Sequence, residues 1–484
     1  MTEVAAASRW DRVNRVAIVA LVVYAAWTVV ITPAIPAPLH WAVLAAFVVL
    51  AVFGLRGSGD GSGDGSGDGS GDGSGDGRGD GRGVGSGVVR ALAPVALLVF
   101  WLVYVAFLPI STRWSPGSRT VTREVTALLV AAALSVALTL LTRGRRRLID
   151  VLPWAWAAVF VTTLGIALWE LTTARHLIVT STGRWLGQPR SPAATFINPN
   201  NYACVLLVVS GLGMQYLSAG LRRRTRWVVA GGVVVALAVM ASTSSRGAFL
   251  AVGANAVIAA HLWLVRRHGS GVLRRCYRTH PRPVWAALGA GMVVLGVAFL
   301  VPAVAARNPI LEWIRPTDTR IASSDSLRLA LTRAGLRFFV DRPLTGTGAG
   351  SFEVLLQRRN PPGVTTVTNM HNAFVELLSQ YGLIVTTPFL VLLGACLVAL
   401  ALPRPGAFRS EERASVPSAL LDRPGARAQL ACLLIAIVVT GLLTSSALVW
   451  PMWWVMIAHA AALSWALGPE ITWRARASSR RQAP

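Results

Sequence analysis

Long apolar runs, separated by short arginine-rich segments, dominate the pattern of hydrophobic and polar positions along the chain. A helix crosses the apolar core of a bilayer with about 20 residues, and about twelve runs approach this length. They lie near residues 16–32, 39–55, 88–109, 122–142, 151–169, 201–219, 227–242, 247–265, 284–305, 381–402, 428–448 and 451–468. The pattern predicts an all-α fold, a polytopic transmembrane helical bundle of about twelve spans.

The runs divide the chain into membrane segments and connecting segments. The membrane segments are 1–55 for the first two helices, 88–305 for helices three to nine, and 371–468 for helices ten to twelve. Residues 56–87 contain a Gly/Ser/Asp repeat with no apolar side chain to bury, which predicts a flexible cytoplasmic linker. Residues 306–370 form one long loop with short amphipathic helices, and residues 469–484 form a tail.

The arginines orient the predicted bundle. The chain has 46 basic residues, all of them arginine, and 21 acidic residues, which gives a net charge of +25. Clusters such as 143–147 and 222–226 fall in cytoplasmic segments when the N-terminus is placed inside, as the positive-inside rule requires. Both termini are therefore predicted to be cytoplasmic, and the loop 306–370 extracytoplasmic. The run at Arg9–Ile31 is interpreted as a first membrane helix, because no clear cleavage site follows it.

Several kinds of chemistry are disfavoured by the sequence. The cysteines Cys204, Cys276, Cys396 and Cys432 have neither metal-ligand nor redox spacing. The arginines lie in short clusters between apolar runs and form no single basic surface, so no nucleic-acid partner is predicted. The turn "GTGAGS" lacks the Gly-Lys-Ser/Thr of a phosphate-binding loop. The outer loops contain no metal-ligand set, so we predict chemistry without metal or cofactor.

A histidine at the start of a predicted membrane helix is the first candidate for chemistry. His371 lies in "NMHNAFVELLSQYGL", 369–383, where the helix is predicted to start near Asn369, which can cap it. In the first turn, the positive end of the helix dipole favours the neutral imidazole, which can accept a proton as a general base. Gly382, farther along, is predicted to let a neighbouring helix approach closely. The alternative for His371 is a histidine at a wet interface.

Two arginines are candidates for binding an anion. Arg246, in "TSSRGAFL", begins a predicted membrane helix, where a charge needs a partner or must extend to water. Arg328 lies on a helix predicted within 323–343, and the guanidinium fork suits phosphate. The alternatives are a snorkelling arginine and a solvated one.

The helix that carries Arg328 is predicted to be amphipathic and to lie at the outer membrane surface. Ser324 or Asp325 provides a start signal and Pro343 a stop signal. Its apolar and basic positions recur at helical spacing: Leu327, Leu331, Ala334 and Phe338, with Arg333 and Arg337 one turn apart. A glycine-rich turn, "TGTGAGSF", follows.

The segment "FINPNNYA", 196–203, is an Asn/Pro turn that enters a membrane helix. A structural role is the simpler interpretation of this turn. The alternative is that Asn200 or Asn201 lines a substrate cavity.

These segments together resemble the O-antigen ligase and polymerase superfamily of bacterial membrane glycosyltransferases. The ligase signature is His, then Asn, Ser or Gln, nine residues, Gly, two residues, and Gly, Thr or Tyr. Here His371-Asn372 and Gly382 match it, and Val385 departs from its last position. "TSSRGAFL" resembles the family's Ser-Arg-Gly segment, and "LRLALTRAGLRFFVDRPLTGTGAGSF" resembles its Arg-to-PLxGxGxGxF segment. The three segments occur in the family's order.

The resemblance implies a metal-independent, inverting transfer of a glycan from an undecaprenyl-diphosphate donor to an acceptor hydroxyl. Transfer would occur at the extracytoplasmic face of the bacterial cytoplasmic (inner) membrane. Arg246 and Arg328 would stabilise the diphosphate leaving group, and His371 would remove the acceptor proton. The predicted substrate-binding residues are Asn372, Asn200, Arg333 and Arg337. The partners would be the lipid-linked donor, a glycan, lipid or protein acceptor, and the lipid bilayer.

Other functions remain open at this point. A polysaccharide repeat-unit polymerase and a protein O-oligosaccharyltransferase of the same superfamily differ from a ligase in the acceptor, which the motifs do not specify. Neither the sugar nor the oligomeric state is specified by them. A transporter for bicarbonate or polysaccharide is the alternative of another class, although transporters usually place ionisable residues near the bilayer midplane.

Overall fold

The computed structural model describes residues 2–34, 37–56, 83–143, 146–178, 190–196, 198–218, 221–243, 245–268, 319–359, 370–401, 423–444 and 447–467. Within these residues the regular elements are helices, and no strand occurs. The helices are α1 (Thr2–Ala34), α2 (Ala37–Arg56), α3 (Gly83–Thr112), α4 (Ser118–Thr142), α5 (Arg146–Ile149), α6 (Leu152–Thr173), α7 (Pro199–Leu217), α8 (Arg223–Ser242), α9 (Arg246–His268), α10 (Thr319–Asp341), α11 (Ser351–Arg359), α12 (Ala373–Ala401), α13 (Arg423–Leu443) and α14 (Pro451–Ala466), with a 3₁₀ turn at Ala447–Val449.

Every predicted apolar run within the described residues coincides with a helix. Seven of these helices contain a segment long and apolar enough to cross a membrane. The segments are Leu92–Thr112, Thr120–Thr142, Arg147–Thr173, Arg223–Ser242, Gly247–Arg267, Ala373–Ala401 and Gly425–Leu442. The all-α, multi-pass membrane fold is confirmed, whereas the count of twelve spans stays a prediction. The run 284–305 and the Gly/Ser/Asp repeat lie outside the described residues.

The centre of the bundle is α14. All of its side chains except Trp465 are buried, and it packs against α3, α4 and α13. A helix that is apolar all round is expected at such a position. His459 is completely buried in this helix, and its Nδ1 accepts a hydrogen bond from Trp156 Nε1 at 3.2 Å. His459 is therefore packed in the core of the bundle.

The helices around α14 also pack extensively against one another. The most extensive contact is between α3 and α12, and α7 packs against α8, α9 and α13. On the periphery, α8 leaves Trp227 and Val228 largely exposed, and α9 leaves Val257 exposed. Such faces suit lipid tails, which are as apolar as the side chains. Of the four cysteines, the three in described residues are buried free thiols: Cys204, Cys396 and Cys432.

The helix α10 differs from its prediction at its start and in its surroundings. It begins at Thr319, so Ser324 and Asp325 lie inside it and neither is the cap. It ends two residues before Pro343, because the residue before a proline is disfavoured in helical conformation. Its apolar face is buried as predicted, but it packs on α11 and α12. Protein therefore covers the face that was expected to make this a membrane-surface helix.

Candidate active site

The helix α12 is broken at Gly382, where the backbone has φ 63° and ψ −162°. The break leaves the carbonyls of Ser379 and Gln380 without their helical partners. The backbone amides of Thr347 and Gly348 donate to these two carbonyls, each at 2.9 Å. The glycine-rich turn, residues 343–350, therefore supplies donors for the carbonyls freed on the N-terminal side of the break.

The same turn also accepts the backbone amides freed on the C-terminal side of the break. The amides of Leu383 and Ile384 donate to the carbonyls of Pro343 at 2.9 Å and Leu344 at 3.1 Å. A membrane helix can be interrupted only where its freed backbone groups find partners within the protein. We call this set of backbone hydrogen bonds, between residues 343–348 and 379–384, the backbone joint.

The glycines of the joint are required by close backbone contact. A Cβ on Gly382 would collide with the Leu344 carbonyl, and a Cβ on Gly346 would collide with the Gln380 backbone. Both have positive φ, which side-chain-bearing residues rarely adopt. The prediction that Gly382 admits a neighbouring helix was therefore wrong about the neighbour, which is a loop. Val385, the position that departs from the family signature, is fully buried in the core.

His371 lies immediately before α12 and is half-buried. Asn372 caps the helix, because its Oδ1 accepts from the Val375 amide at 3.2 Å and its carbonyl accepts from the Glu376 amide at 2.9 Å. The predicted cap, Asn369, lies outside the described residues, four positions before the first helical residue. The placement of His371 in the first turn was wrong for the same reason: the helix begins two residues later, after Asn372.

The helix α10 crosses the start of α12 beside His371. A Cβ on Gly335 would meet the side chains of Met370 and Val375, which flank the histidine and its cap. Arg328 is half-buried two turns before Gly335, about 10 Å along the helix axis. The structure thus places Arg328 on the element that packs against the histidine segment.

Two further arginines of α10, which were predicted to bind substrate, point away from this contact. Arg333 and Arg337 are exposed, whereas Leu331 and Phe338 on the same helix are buried against α11 and α12. The structure does not bring these two arginines together with His371. Their predicted role in substrate binding stays a prediction.

Arg246 is the first residue of α9, and its side chain lies outside the described residues. The far end of α9 is near the end of α7, since Arg266 Nη1 donates to Ser218 Oγ at 3.1 Å. The start of α9 therefore lies at the end of the bundle where α7 begins. Arg246 is placed at this end, and its predicted catalytic role stays a prediction.

The start of α7 is built by an asparagine cap. Asn198 Oδ1 accepts the backbone amide of Asn200 at 2.8 Å, which supports the structural interpretation of this turn. Asn200 itself is half-buried in the first turn, and Asn201 is buried. Phe196 contacts Trp450 just before α14, with ring centroids 5.7 Å apart. The starts of α7, α9 and α14 therefore share one end of the bundle.

A small cavity lies at this end, next to Met370. Its volume is about 30 Å³, and it is lined by Thr120, Arg123, Glu124, Gly350, Phe352, Glu353, Met370, Glu376, Gln380 and Val449. Glu124 and Glu376 are buried, and Tyr381 Oη donates to Glu124 Oε1 at 2.5 Å. Among the described residues no group of three metal-binding side chains occurs.

Comparison with known families gives one match. The family model of O-antigen ligase matches residues 231–390, about a third of the chain. Over these residues the chain is similar to O-antigen ligases. A comparison with curated proteins gives no match.

The O-antigen ligase match covers the part of the site that lies between α8 and α12. It runs from within α8 to the second half of α12 and includes Arg246, Arg328 and His371. It also includes the backbone joint and Glu376. The spanning segments make the chain a multi-pass membrane protein, and its matched part is similar to a family of ligase-type enzymes.

Glu124 and Glu376 were missed by the sequence analysis, which singled out no acidic residue within the apolar runs. Both lie within the first turns of helices that are otherwise apolar. An ionisable residue inside a membrane helix is costly and is usually functional. That rule, applied to each carboxyl group separately, could have found them.

Proposed function

We propose that the protein is a metal-independent, inverting membrane glycosyltransferase that takes its glycan from an undecaprenyl-diphosphate donor. The observation that carries the proposal is the match to O-antigen ligase across the segment that holds His371, Arg328 and Arg246. The acceptor is a hydroxyl group, and transfer occurs at the extracytoplasmic face of the bacterial cytoplasmic membrane. Both termini are then cytoplasmic, as the arginine distribution favours.

The chemistry is a single displacement at the anomeric carbon. His371 removes the proton of the acceptor hydroxyl as its oxygen attacks that carbon. The bond between the anomeric carbon and the diphosphate oxygen breaks, and the electron pair leaves with the diphosphate. Arg246 and Arg328 stabilise the charge that develops on this leaving group. One displacement inverts the configuration of the sugar.

The position of His371 suits a base that meets a substrate from outside the bundle. It is half-buried, and the cap of α12 and the buried Met370 fix the backbone on either side of it. A rigid position reduces the entropy lost when the acceptor and the donor are brought together. The exposed apolar faces of the bundle allow the isoprenoid chain of the donor to stay in lipid.

A transporter is the second candidate, and the broken helix α12 is the observation that favours it. Broken membrane helices bind substrates or ions in many transporters through their freed backbone groups. Here the freed groups at Ser379, Gln380, Leu383 and Ile384 are bonded to the glycine-rich turn. They are occupied by the protein itself, so the transferase is the better-supported function.

The test is a transfer assay with purified protein in lipid discs, lipid-diphosphate glycans from its host, candidate acceptors, and EDTA. We expect wild type to release the glycan, and His371→Ala to be slower by about 10²–10⁴-fold, the usual contribution of a general base. His261→Ala, which changes an exposed histidine of α9, is the matched control and should transfer normally.

The outcomes separate the candidates. Equal transfer by wild type and His371→Ala would keep the transferase and reject His371 as the base. No release by wild type, with an intact donor, would reject the transferase in favour of transport. Loss of transfer in EDTA that returns with added metal would reject the metal-independent mechanism.

A further inference from the structure

A groove lined by apolar side chains lies between α6, α7 and α8. Its volume is about 220 Å³, whereas the cavity at the candidate active site has about 30 Å³. Trp156 and Leu212, which line the groove, are buried, and Val161 and Val228 at its edge are largely exposed. The exposed edge indicates that the groove opens sideways toward the lipid. An apolar space of this size takes up apolar ligands rather than water.

The groove lies at the end of the bundle opposite the candidate active site. Tyr216, which lines it, is about 25 Å along the axis of α7 from Pro199 at the start of that helix. Trp154 contacts Tyr216 with ring centroids 6.0 Å apart, and Trp227 is exposed near the start of α8. Tryptophan and tyrosine are enriched at the level of the lipid head groups. The groove therefore runs from the head-group level at Tyr216 to Val209, about 10 Å deeper among the lipid tails.

Arginines surround the head-group end of the groove. The segment "RRRTR", 222–226, leads into α8, and all four of its arginines are exposed. Arg222 and Arg226 lie seven and three residues before Val229, which lines the groove. Residues at these spacings share one side of a helix, so both arginines are on the groove side of α8. Arg223, six residues before Val229, is on the other side.

The arginines at the start of α8 are available to an anion. The first turn of α8 contains no acidic residue, and among the described residues no carboxylate forms a salt bridge with Arg222 or Arg226. One carboxyl group, that of Asp150 just before α6, lies close enough to Tyr216 to interact with it electrostatically. Asp150 also interacts with Arg15 of α1, which offsets its charge. The groove end therefore has an excess of positive charge.

We propose that the groove binds one anionic phospholipid, with an acyl chain along α7 and the phosphate on Arg222 and Arg226. The guanidinium group forms paired hydrogen bonds with phosphate, and basic pockets between membrane helices suit anionic head groups. The apolar lining accepts any acyl chain, so the arginines select the head group. In the orientation proposed above, this lipid belongs to the cytoplasmic leaflet. The site is distant from His371 and goes beyond the proposed function.

The first test measures lipid binding to the full-length protein in mild detergent by native mass spectrometry. Phosphatidylglycerol and phosphatidylcholine with the same acyl chains are titrated separately, and the dissociation constant of the first bound lipid is compared. One arginine near a membrane surface contributes about fivefold in affinity, so wild type should prefer phosphatidylglycerol by about 25-fold. The double variant Arg222→Gln/Arg226→Gln should bind both lipids equally. Arg223→Gln, on the other side of α8, is the matched control and should keep the preference.

The second test fills the groove. Gly232 lines it, and a Cβ at this position would meet no atom within 4 Å, so the side chain of Gly232→Leu can enter the space meant for the acyl chain. We expect binding of both lipids to weaken by about tenfold, because the packed contacts of the chain are lost. Gly231→Leu, at the exposed neighbouring position with equally open space, is the matched control. If Gly232→Leu does not fold, Gly232→Ala takes its place with a smaller loss.

The outcomes separate the possible occupants. Equal binding of the two lipids by wild type overturns the site. A preference lost in the double arginine variant, with normal binding by Gly232→Leu, leaves a charged surface and rejects the groove. A preference kept in the double arginine variant rejects the arginines. Undecaprenyl phosphate that displaces phosphatidylglycerol at a concentration below the dissociation constant of phosphatidylglycerol would assign the groove to an isoprenoid chain instead.

Discussion

Two segments at the same end of the bundle are held in different ways. The segment after α6 is held by a side chain: Glu170 accepts the amides of Leu177 at 3.1 Å and of Ala193 and Ala194 at 2.8 Å each. The segment before α11 is held by the backbone joint, through bonds between main-chain groups. Both side-chain oxygens of Glu170 are therefore occupied by hydrogen bonds from the backbone.

The two segments also differ in how the oxygens of their buried carboxyl groups are bonded. Glu170 is completely buried, and both of its oxygens accept backbone amides. At the candidate active site the backbone fixes the loop, so Glu376 keeps an oxygen that lines the cavity without a bond among the described residues. Burial alone therefore does not show whether a carboxyl group holds a loop in place; the bonding of each oxygen does.

The largest effect is expected from Gly382→Ala, which breaks the backbone joint. The new Cβ would collide with the Leu344 carbonyl at a positive φ, so we expect a loss of about 3 kcal/mol or more in stability and the loss of transfer. Thermal unfolding of the purified protein measures it. Gly394→Ala, on the same helix but with open space around the Cβ, is the control. Normal unfolding of Gly382→Ala would show that the joint is not needed.

A smaller but still large effect is expected from Glu170→Ala. It leaves three backbone amides without their acceptor, and one unsatisfied buried group costs about 1–3 kcal/mol. We expect a loss of about 3 kcal/mol in unfolding free energy, with His371 chemistry unchanged in the fraction that stays folded. Asp341→Ala, which removes an exposed ion pair with Arg359, should cost less than about 1 kcal/mol. If Glu170→Ala and Asp341→Ala lost the same unfolding free energy, Glu170 would hold its segment no more strongly than an exposed ion pair does.

The smallest effect on stability is expected from Glu376→Gln. The amide keeps an oxygen for Gln380, and it replaces an Oε2 that has no bond among the described residues. The unfolding free energy should change by less than about 1 kcal/mol. A loss as large as that of Glu170→Ala would mean that Glu376 holds the fold in the way Glu170 does, and the comparison would fail.

The sequence predicts the helices and the buried face of α10 because periodicity reports which side chains leave water. Leu331, Ala334 and Phe338 were identified in this way and are buried. The break at Gly382 was not predicted, because the apolar pattern continues unchanged through it. It depends on a loop that is adjacent only in space. The start of α12 was misplaced because two asparagines, Asn369 and Asn372, offer the same capping chemistry.

The backbone joint also constrains how α12 enters the membrane. The half of α12 after Gly382 begins with the amides of Leu383 and Ile384, which are bonded to the carbonyls of Pro343 and Leu344. Those carbonyls belong to a part of the chain that leaves the ribosome earlier. In lipid, unbonded amides at a helix start are costly. This half-helix can therefore enter the bilayer only with these amides bonded, either to the glycine-rich turn or to the Ser379 and Gln380 carbonyls of an unbroken helix.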